Sequence, residues 1–513
     1  MRAVNRESAP PGVNRAAITA TVICACVMQG LDTTIANVCL PHIQGTMSAS
    51  QDQISWVLTS YIVSAAIAMP LVGWLADRLG VKYLFLASVI GFTLASALCG
   101  AATTLTQLVL FRVLQGVCSA GLVPLGQATL YTVYPRERHG YAMAIFATGS
   151  MMGPIVGPTL GGWLTDNFGW RWCFYINLPV GALCALGVFV FIQRARGATR
   201  APFDMFGFAT LSIAVGTLQL MLDRGEIRDW FRSTEIWIEA TISALSFYLL
   251  IVHTATTGER SFLSRELLKS PNFIAGSLMM FAVGVILSGT LALMPSMMQD
   301  LMNYPVFDAG WMMAPRGVGA MVAMFLVARV VDRIDARLII LVGFLLTAAS
   351  LWQMTGYSLY MGSWPILSAG LAQGFGLGLT FVPLNLLALS TLPARIMSQG
   401  TAIRALMRML GGSIGISILE TQLAQNTQIV HSRLIEGVRP DNPLAQAPYL
   451  HAPFSLIEPS GLAALNAEVT RQAAMISYND DFALMTMVVL AALPALLLVR
   501  IPRRQPITAA ADD

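Results

Sequence analysis

Charge is scarce in this sequence: Asp, Glu, Lys and Arg make up 11% of 513 residues, where soluble domains carry roughly a quarter. With 56% hydrophobic residues and a mean hydropathy of +0.66, a fold surrounded by water cannot hide its apolar surface. The net charge is only +4, and the basic residues come as short clusters between apolar runs, which argues against nucleic acid as a partner. Histidine is rare, and His42, His139, His253, His431 and His451 share no ligand spacing. Cys24, Cys26, Cys39, Cys99, Cys118 and Cys184 lie inside apolar runs and Cys173 at the edge of one, so there is no disulfide framework and no metal site. A Gly-rich phosphate loop ending in Lys-Ser/Thr is missing, and so is a nucleophile elbow. These absences exclude nucleotide-driven and hydrolytic chemistry. They leave a non-enzymatic membrane protein without a cofactor, whose energy comes from an ion gradient with protons as the coupling ion.

What the sequence does have is length of apolar run. A bilayer core of about 30 Å needs roughly 20 apolar residues per helix, and fourteen such segments are expected between 17–40 and 482–500. The lysines and arginines fall mainly in one set of loops and in both tails, which predicts cytoplasmic termini. The run after the polar N-terminus is too long, and too polar at Asp32, for a cleaved signal peptide. A long polar outer loop is expected at 421–481, large enough to touch a partner.

Two stretches half a chain apart match: Ala76-Asp77-Arg78-Leu79-Gly80-Val81-Lys82 and Val331-Asp332-Arg333-Ile334-Asp335-Ala336-Arg337. Leu114-Gln115-Gly116 echoes Ala372-Gln373-Gly374, and Val123-Pro124 echoes Val382-Pro383, at nearly the same offset. The expected fold is therefore all-α and polytopic, with two six-helix pseudo-repeat halves and two inserted helices. Its units are a tail at 1–16, a first half at 17–193, linkers with the inserted helices at 194–272, a second half at 273–500 and a tail at 501–513. Repeated halves are the usual build of secondary transporters, with the substrate site between them.

Asp32 in the first segment and Arg112 in the fourth reach similar depths at 1.5 Å per residue, so an ion pair is geometrically allowed. An acid inside a membrane is costly and functional by default. One whose charge depends on whether an arginine stands beside it suits proton coupling; the bland alternative is a permanent structural pair. In the fifth segment Gly149, Gly153, Gly157 and Gly161 form a stripe that permits close helix approach, while Pro154 and Pro158 favour bending. Together they make a sliding surface between helices. Gly73, Asp77, Arg78, Gly80 and Lys82 form a charged turn that anchors the cytoplasmic side and can latch one conformation. Gln115, Arg316, Trp56 and Tyr61 are candidates for the substrate cavity, whereas Arg404 and Arg408 are expected to snorkel to the interface.

These motifs resemble the major facilitator superfamily and, within it, the fourteen-helix drug:proton antiporters of the EmrB/QacA type. Leu31 to Val38 with Pro41 resembles the family's first-helix motif, and Gly73 to Lys82 its turn between helices 2 and 3. Phe111-Arg112-Val113-Leu114-Gln115-Gly116 resembles the fourth-helix motif, in which the arginine is implicated in proton coupling. Gly149 to Gly162 resembles the antiporter motif, which separates exporters from most importers. Leu222-Asp223-Arg224-Gly225 with Asp229-Trp230-Phe231, and the long loop before the last helix, look most like the EmrB branch. Asp335 stands where the first-half turn has Gly80, a departure from the pattern. The resemblance implies the inner membrane of a Gram-negative cell and a three-part pump with a periplasmic adaptor (a membrane fusion protein) and an outer-membrane channel. The expected activity is proton-coupled multidrug efflux of amphipathic compounds. Competing readings are a dedicated exporter of one metabolite such as a fatty acid, a proton-coupled importer, and a membrane scaffold that transports nothing.

Overall fold

The computed structural model describes residues 14–54, 56–135, 138–193, 204–257, 264–330, 334–393, 396–439, 454 and 458–499. These residues form helices and turns with no strand among them. The tails, the linker at 194–203, the second-half turn at Asp332 and Arg333, and most of 440–457 lie outside the described residues.

The first half contains α1 (Arg15–Met47), α2 (Trp56–Leu79), α3 (Val81–Ala101), α4 (Leu105–Ser119), α5 (Leu122–Val133), α6 (His139–Phe168) and α7 (Asn177–Phe191). The inserted pair is α8 (Met205–Arg224) and α9 (Thr234–Thr257). The second half contains α10 (Pro271–Ser296), α11 (Val306–Val330), α12 (Ala336–Met354), α13 (Ser363–Leu389), α14 (Met397–Ile435) and α15 (Pro459–Ala492).

Thirteen helices among the described residues are long and apolar enough to cross a membrane, the stretch Leu105–Val133 counting as one. The predicted segment at 140–163 is present as the 30-residue α6; several of its side chains lie outside the described residues, and it is not counted among the thirteen. The predicted loop at 421–481 is also shorter than expected, because α14 continues to Ile435 and α15 begins at Pro459. Polar composition misled there: a helix outside the bilayer needs no apolar run.

Packing follows the internal repeat. In the first half α1 lies against α6 and α2 against α4; in the second, α10 lies against α14 and α11 against α13. The halves meet where α6 touches α11 and α2 touches α14, and the inserted α8 rests on both α2 and α14. One apolar cluster joins them. It takes Met69 and Val72 from α2, Met143 and Phe146 from α6, Met324 and Val327 from α11, and Leu406 and Leu410 from α14. All of these lie toward the end of the bundle that holds the start of α1, so the halves are sealed together there.

Gly80 makes the break between α2 and α3, with φ +85°, a value that costs any residue with a Cβ. Lys82 then closes the turn against the end of α7, donating to the Phe189 carbonyl at 2.8 Å. Gly73 is buried in α2, Arg78 is exposed, and half-buried Asp77 forms no ion pair among the described residues.

Candidate functional site

Three helices of the first half deliver polar side chains into one dry spot. From α1 comes Asp32, from α4 come Arg112 and Gln115, and from the start of α7 comes Asn177; none is more than 2% exposed. Arg112 Nη1 donates to Asp32 Oδ2 at 2.8 Å and to Gln115 Oε1 at 2.9 Å. Gln115 Nε2 and Asn177 Nδ2 donate to Asp32 Oδ1 at 2.7 and 3.0 Å. Both oxygens of the carboxylate are thus occupied, one by a cation and one by two amides.

The guanidinium is held as firmly as the acid. Arg112 Nε donates to the Val57 carbonyl of α2 at 3.0 Å, and the planar group lies over the Tyr61 ring, 4.4 Å from its centroid. A stacked guanidinium gains from the ring's quadrupole, more so when both are dry. Asn177 also donates to Ser96 of α3 at 3.0 Å, and Ser96 donates to the Phe174 carbonyl at 2.9 Å. Four helices are therefore tied to one carboxylate. A buried pair is tolerable only with this degree of satisfaction, since removing charges from water costs several kcal/mol per ion.

The structure brings Asp32, Arg112, Gln115 and Tyr61 together. Tyr61 is 3% exposed and forms the floor under the guanidinium, which leaves it no open cavity wall to line. Trp56 lies outside the cluster, half-buried at the start of α2, with the Arg224 guanidinium 5.3 Å from its ring centroid. Arg224 in turn pairs with Glu235. Asn177 and Ser96 were not among the residues picked from the sequence. Asn177 is a polar residue at the outer end of an apolar run, and that is the signal that would have found it; Ser96, a small hydroxyl within such a run, carries none.

The glycine stripe of α6 backs directly onto α1 on either side of Asp32. Gly149 faces Ile23, Gly157 faces Thr34 and Gly161 faces Ile35. At Gly153 a Cβ would stand 2.8 Å from the Val27 carbonyl oxygen and 2.9 Å from the Gly30 backbone. Pro154 and Pro158 fall within α6, but their side chains lie outside the described residues. The second half repeats the seam, Gly411 against Phe281 and Gly415 against Val285, joining α14 to α10. Gly153→Val should force α1 away from α6, an overpacking cost of about 1–3 kcal/mol, read as lower thermal stability in detergent and lost transport. Gly162→Ala, where a Cβ meets nothing within 4 Å, should leave both unchanged. Equal stability of the two variants would contradict the seam.

Arginines of the second half are placed differently. Arg404 does not snorkel: α14 begins at Met397, two turns before it, and the side chain is 3% exposed and donates to the side chain of Asn385. Arg316, 8% exposed on α11, lines a cavity with Thr290, Met294, Met312, Gly370 and Gln373. No group of three or more His, Cys, Asp or Glu among the described residues has the placement to hold a metal ion.

The family described as Major Facilitator Superfamily matches residues 22–416. Multidrug export protein EmrB of Escherichia coli (strain K12) is 35% identical over 486 residues, covering 92% of each chain. Fatty acid resistance protein FarB of Neisseria gonorrhoeae is 32% identical over 497 residues, covering 96% of this chain and 98% of that one. The crystal structure of the human organic anion transporter MFSD10 (TETRAN) superposes with a TM-score of 0.59 at 15% identity, covering 93% of this chain and 99% of that one, a likeness of fold alone. On motif, sequence and fold together, this multi-pass membrane protein belongs to the Major Facilitator Superfamily of transporters, in its EmrB-type branch.

Proposed function

We propose that the chain exports amphipathic small molecules in exchange for protons, with Asp32 as the proton carrier and Arg112 as its counter-charge. The observation that carries this is a dry carboxylate on α1 that accepts hydrogen bonds from Arg112 and Gln115 of α4 and Asn177 of α7. A proton on Asp32 cancels the charge that balances Arg112 and replaces one accepting lone pair by a donor. The cluster then holds an uncompensated buried cation, and the strain is relieved when α1 and α4 separate. Loading the proton and changing conformation become one event, which is what exchange requires.

The names of the relatives support drug export, and the one named for fatty acid resistance supports amphiphiles with acidic heads. The seal at the end of the bundle nearest the start of α1 fits a pump open to the other side, with both termini cytoplasmic in the inner membrane. Past the apolar stretch, α14 and α15 run on as a helical pair, with His431 within hydrogen-bond distance of Asn466 at 3.1 Å. That pair gives a periplasmic adaptor, and through it an outer-membrane channel, a surface to dock on.

The test uses everted membrane vesicles containing the protein and a panel of cationic dyes, detergents and fatty acids. Uptake should follow an imposed proton gradient and stop when a protonophore collapses it. Uptake that survives the protonophore, or no uptake of any compound, would overturn the proposal.

A further inference from the structure

The two halves treat their buried guanidinium groups in opposite ways. In the first half, Gly116 sits on the Tyr61 carbonyl; in the second, Gly374 sits on the Arg316 carbonyl. Because Gln115-Gly116 and Gln373-Gly374 correspond in the repeat, Arg316 takes the place of Tyr61. Gln115 Nε2 donates to Asp32 on α1 at 2.7 Å, whereas Gln373 Nε2 donates to Thr290 on α10 at 3.1 Å. A threonine hydroxyl thus occupies the role that a carboxylate has in the first half. The second half keeps a guanidinium and has lost its counter-ion.

The consequence is visible in the hydrogen bonds. Both Nη1 and Nη2 of Arg316 are buried without a partner among the described residues. The side chain lines a cavity otherwise walled by neutral groups, among them Met294, Met312, Met313, Met354 and Ile366, with no acid in the lining. Free room amounts to about 10 Å³, enough for one water-sized group. An oxygen of an acidic head fits that space as it stands. A tail fits when the methionines move, and their unbranched, polarizable side chains are suited to that.

We propose that Arg316 is the headgroup site for single-chain amphipathic anions, with the carboxylate of the substrate supplying the charge that Asp32 supplies in the other half. A guanidinium presents paired N–H donors that match the two oxygens of a carboxylate, and a dry methionine wall receives an alkyl chain without competing for those donors. An ammonium or a neutral amide in the same place would not hold the head in one orientation. The site selects for substrate charge: it favours anions and disfavours cations. This inference rests on the exporter reading for its biological meaning, but binding at Arg316 is measurable without transport.

The experiment is equilibrium binding of radiolabelled laurate to the full-length protein in nonionic detergent, with a cationic dye measured in parallel by fluorescence polarisation. For Arg316→Gln, laurate affinity should fall at least about tenfold while dye affinity holds or rises. Arg316→Lys should retain part of the laurate affinity, and Arg316→Glu should reverse the preference toward the dye. Each variant is first checked for a monodisperse profile, and the graded Lys, Gln and Glu series separates charge from a folding defect. Laurate binding that is absent in the wild type, or unchanged in Arg316→Gln, would overturn the proposal. Full competition by a two-chain anionic phospholipid at equal concentration would also overturn it, assigning the site to a lipid headgroup. Failure of every compound to move with protons in vesicles would sink the exporter reading and leave the binding result standing.

Discussion

Asp32→Asn should abolish proton-driven export while leaving a folded protein in the membrane. The amide keeps the shape of the carboxylate and an oxygen that Arg112 can donate to, so it fits the site as the protonated acid does, with Arg112 left without its counter-charge. What it loses is the ability to gain and release a proton, and with it the exchange. Drug resistance conferred on a susceptible host should drop to the level of cells lacking the protein, with the amount of membrane-inserted protein within about twofold of wild type. Full retained efflux by a well-inserted Asp32→Asn protein would remove Asp32 from the proton path.

Arg112→Met produces the second large effect, this time on stability. Methionine fills part of the volume over Tyr61 but leaves Asp32, 2% exposed, with only the amides of Gln115 and Asn177 as donors. Breaking a buried pair by removing one partner costs about 3–5 kcal/mol, because an uncompensated charge stays behind. Adding Asp32→Asn to that variant removes the orphaned charge, so the double variant should recover much of the loss. Thermal unfolding of the four proteins in detergent gives the cycle. Additive losses, with no recovery in the double variant, would show that the pair is not coupled as described. Arg112→Lys is expected to rescue poorly, since an ammonium cannot serve Val57, Gln115 and Asp32 at once while lying flat on a ring.

The glycine seams and the polar cluster belong to one design. Gly153 and Gly157 bring the α6 backbone against α1 within a turn or two of Asp32, which fixes the acid's depth and rotation while presenting little side-chain relief to hinder movement. A bulky side chain at the seam would tilt α1 and pull the carboxylate off its three donors. Transport and stability should therefore fail together at Gly153, whereas at Asp32 they separate. The same seam in the second half, Gly411 and Gly415 of α14 against Phe281 and Val285 of α10, lies before Thr290 on α10, where no charge needs holding.

Much of this was legible in the residues. Apolar runs of about bilayer length mark spans whatever their neighbours are, and the rise per residue in a helix converts position into depth, which is why Asp32 and Arg112 were paired. Depth is not rotation. Which way a helix turns its polar residues depends on partners far along the chain, so Asn177, 145 residues from Asp32, was not picked out, and Arg404 was expected at the interface rather than beneath Asn385. Polar helices outside the bilayer carry no apolar signature either, so the stretch at 421–481 read as loop although α14 and α15 occupy most of it. The break between α4 and α5 at Ala120 and Gly121 was hidden for the opposite reason, a short kink within one continuous apolar run.

The most direct test of the central claim is proton release from proteoliposomes on addition of a cationic dye, wild type against Asp32→Asn, with a pH-sensitive fluorophore outside. The account predicts a dye-dependent proton signal from the wild type and none from the variant. An equal signal from both, or dye transport by the wild type with no proton movement, would contradict it.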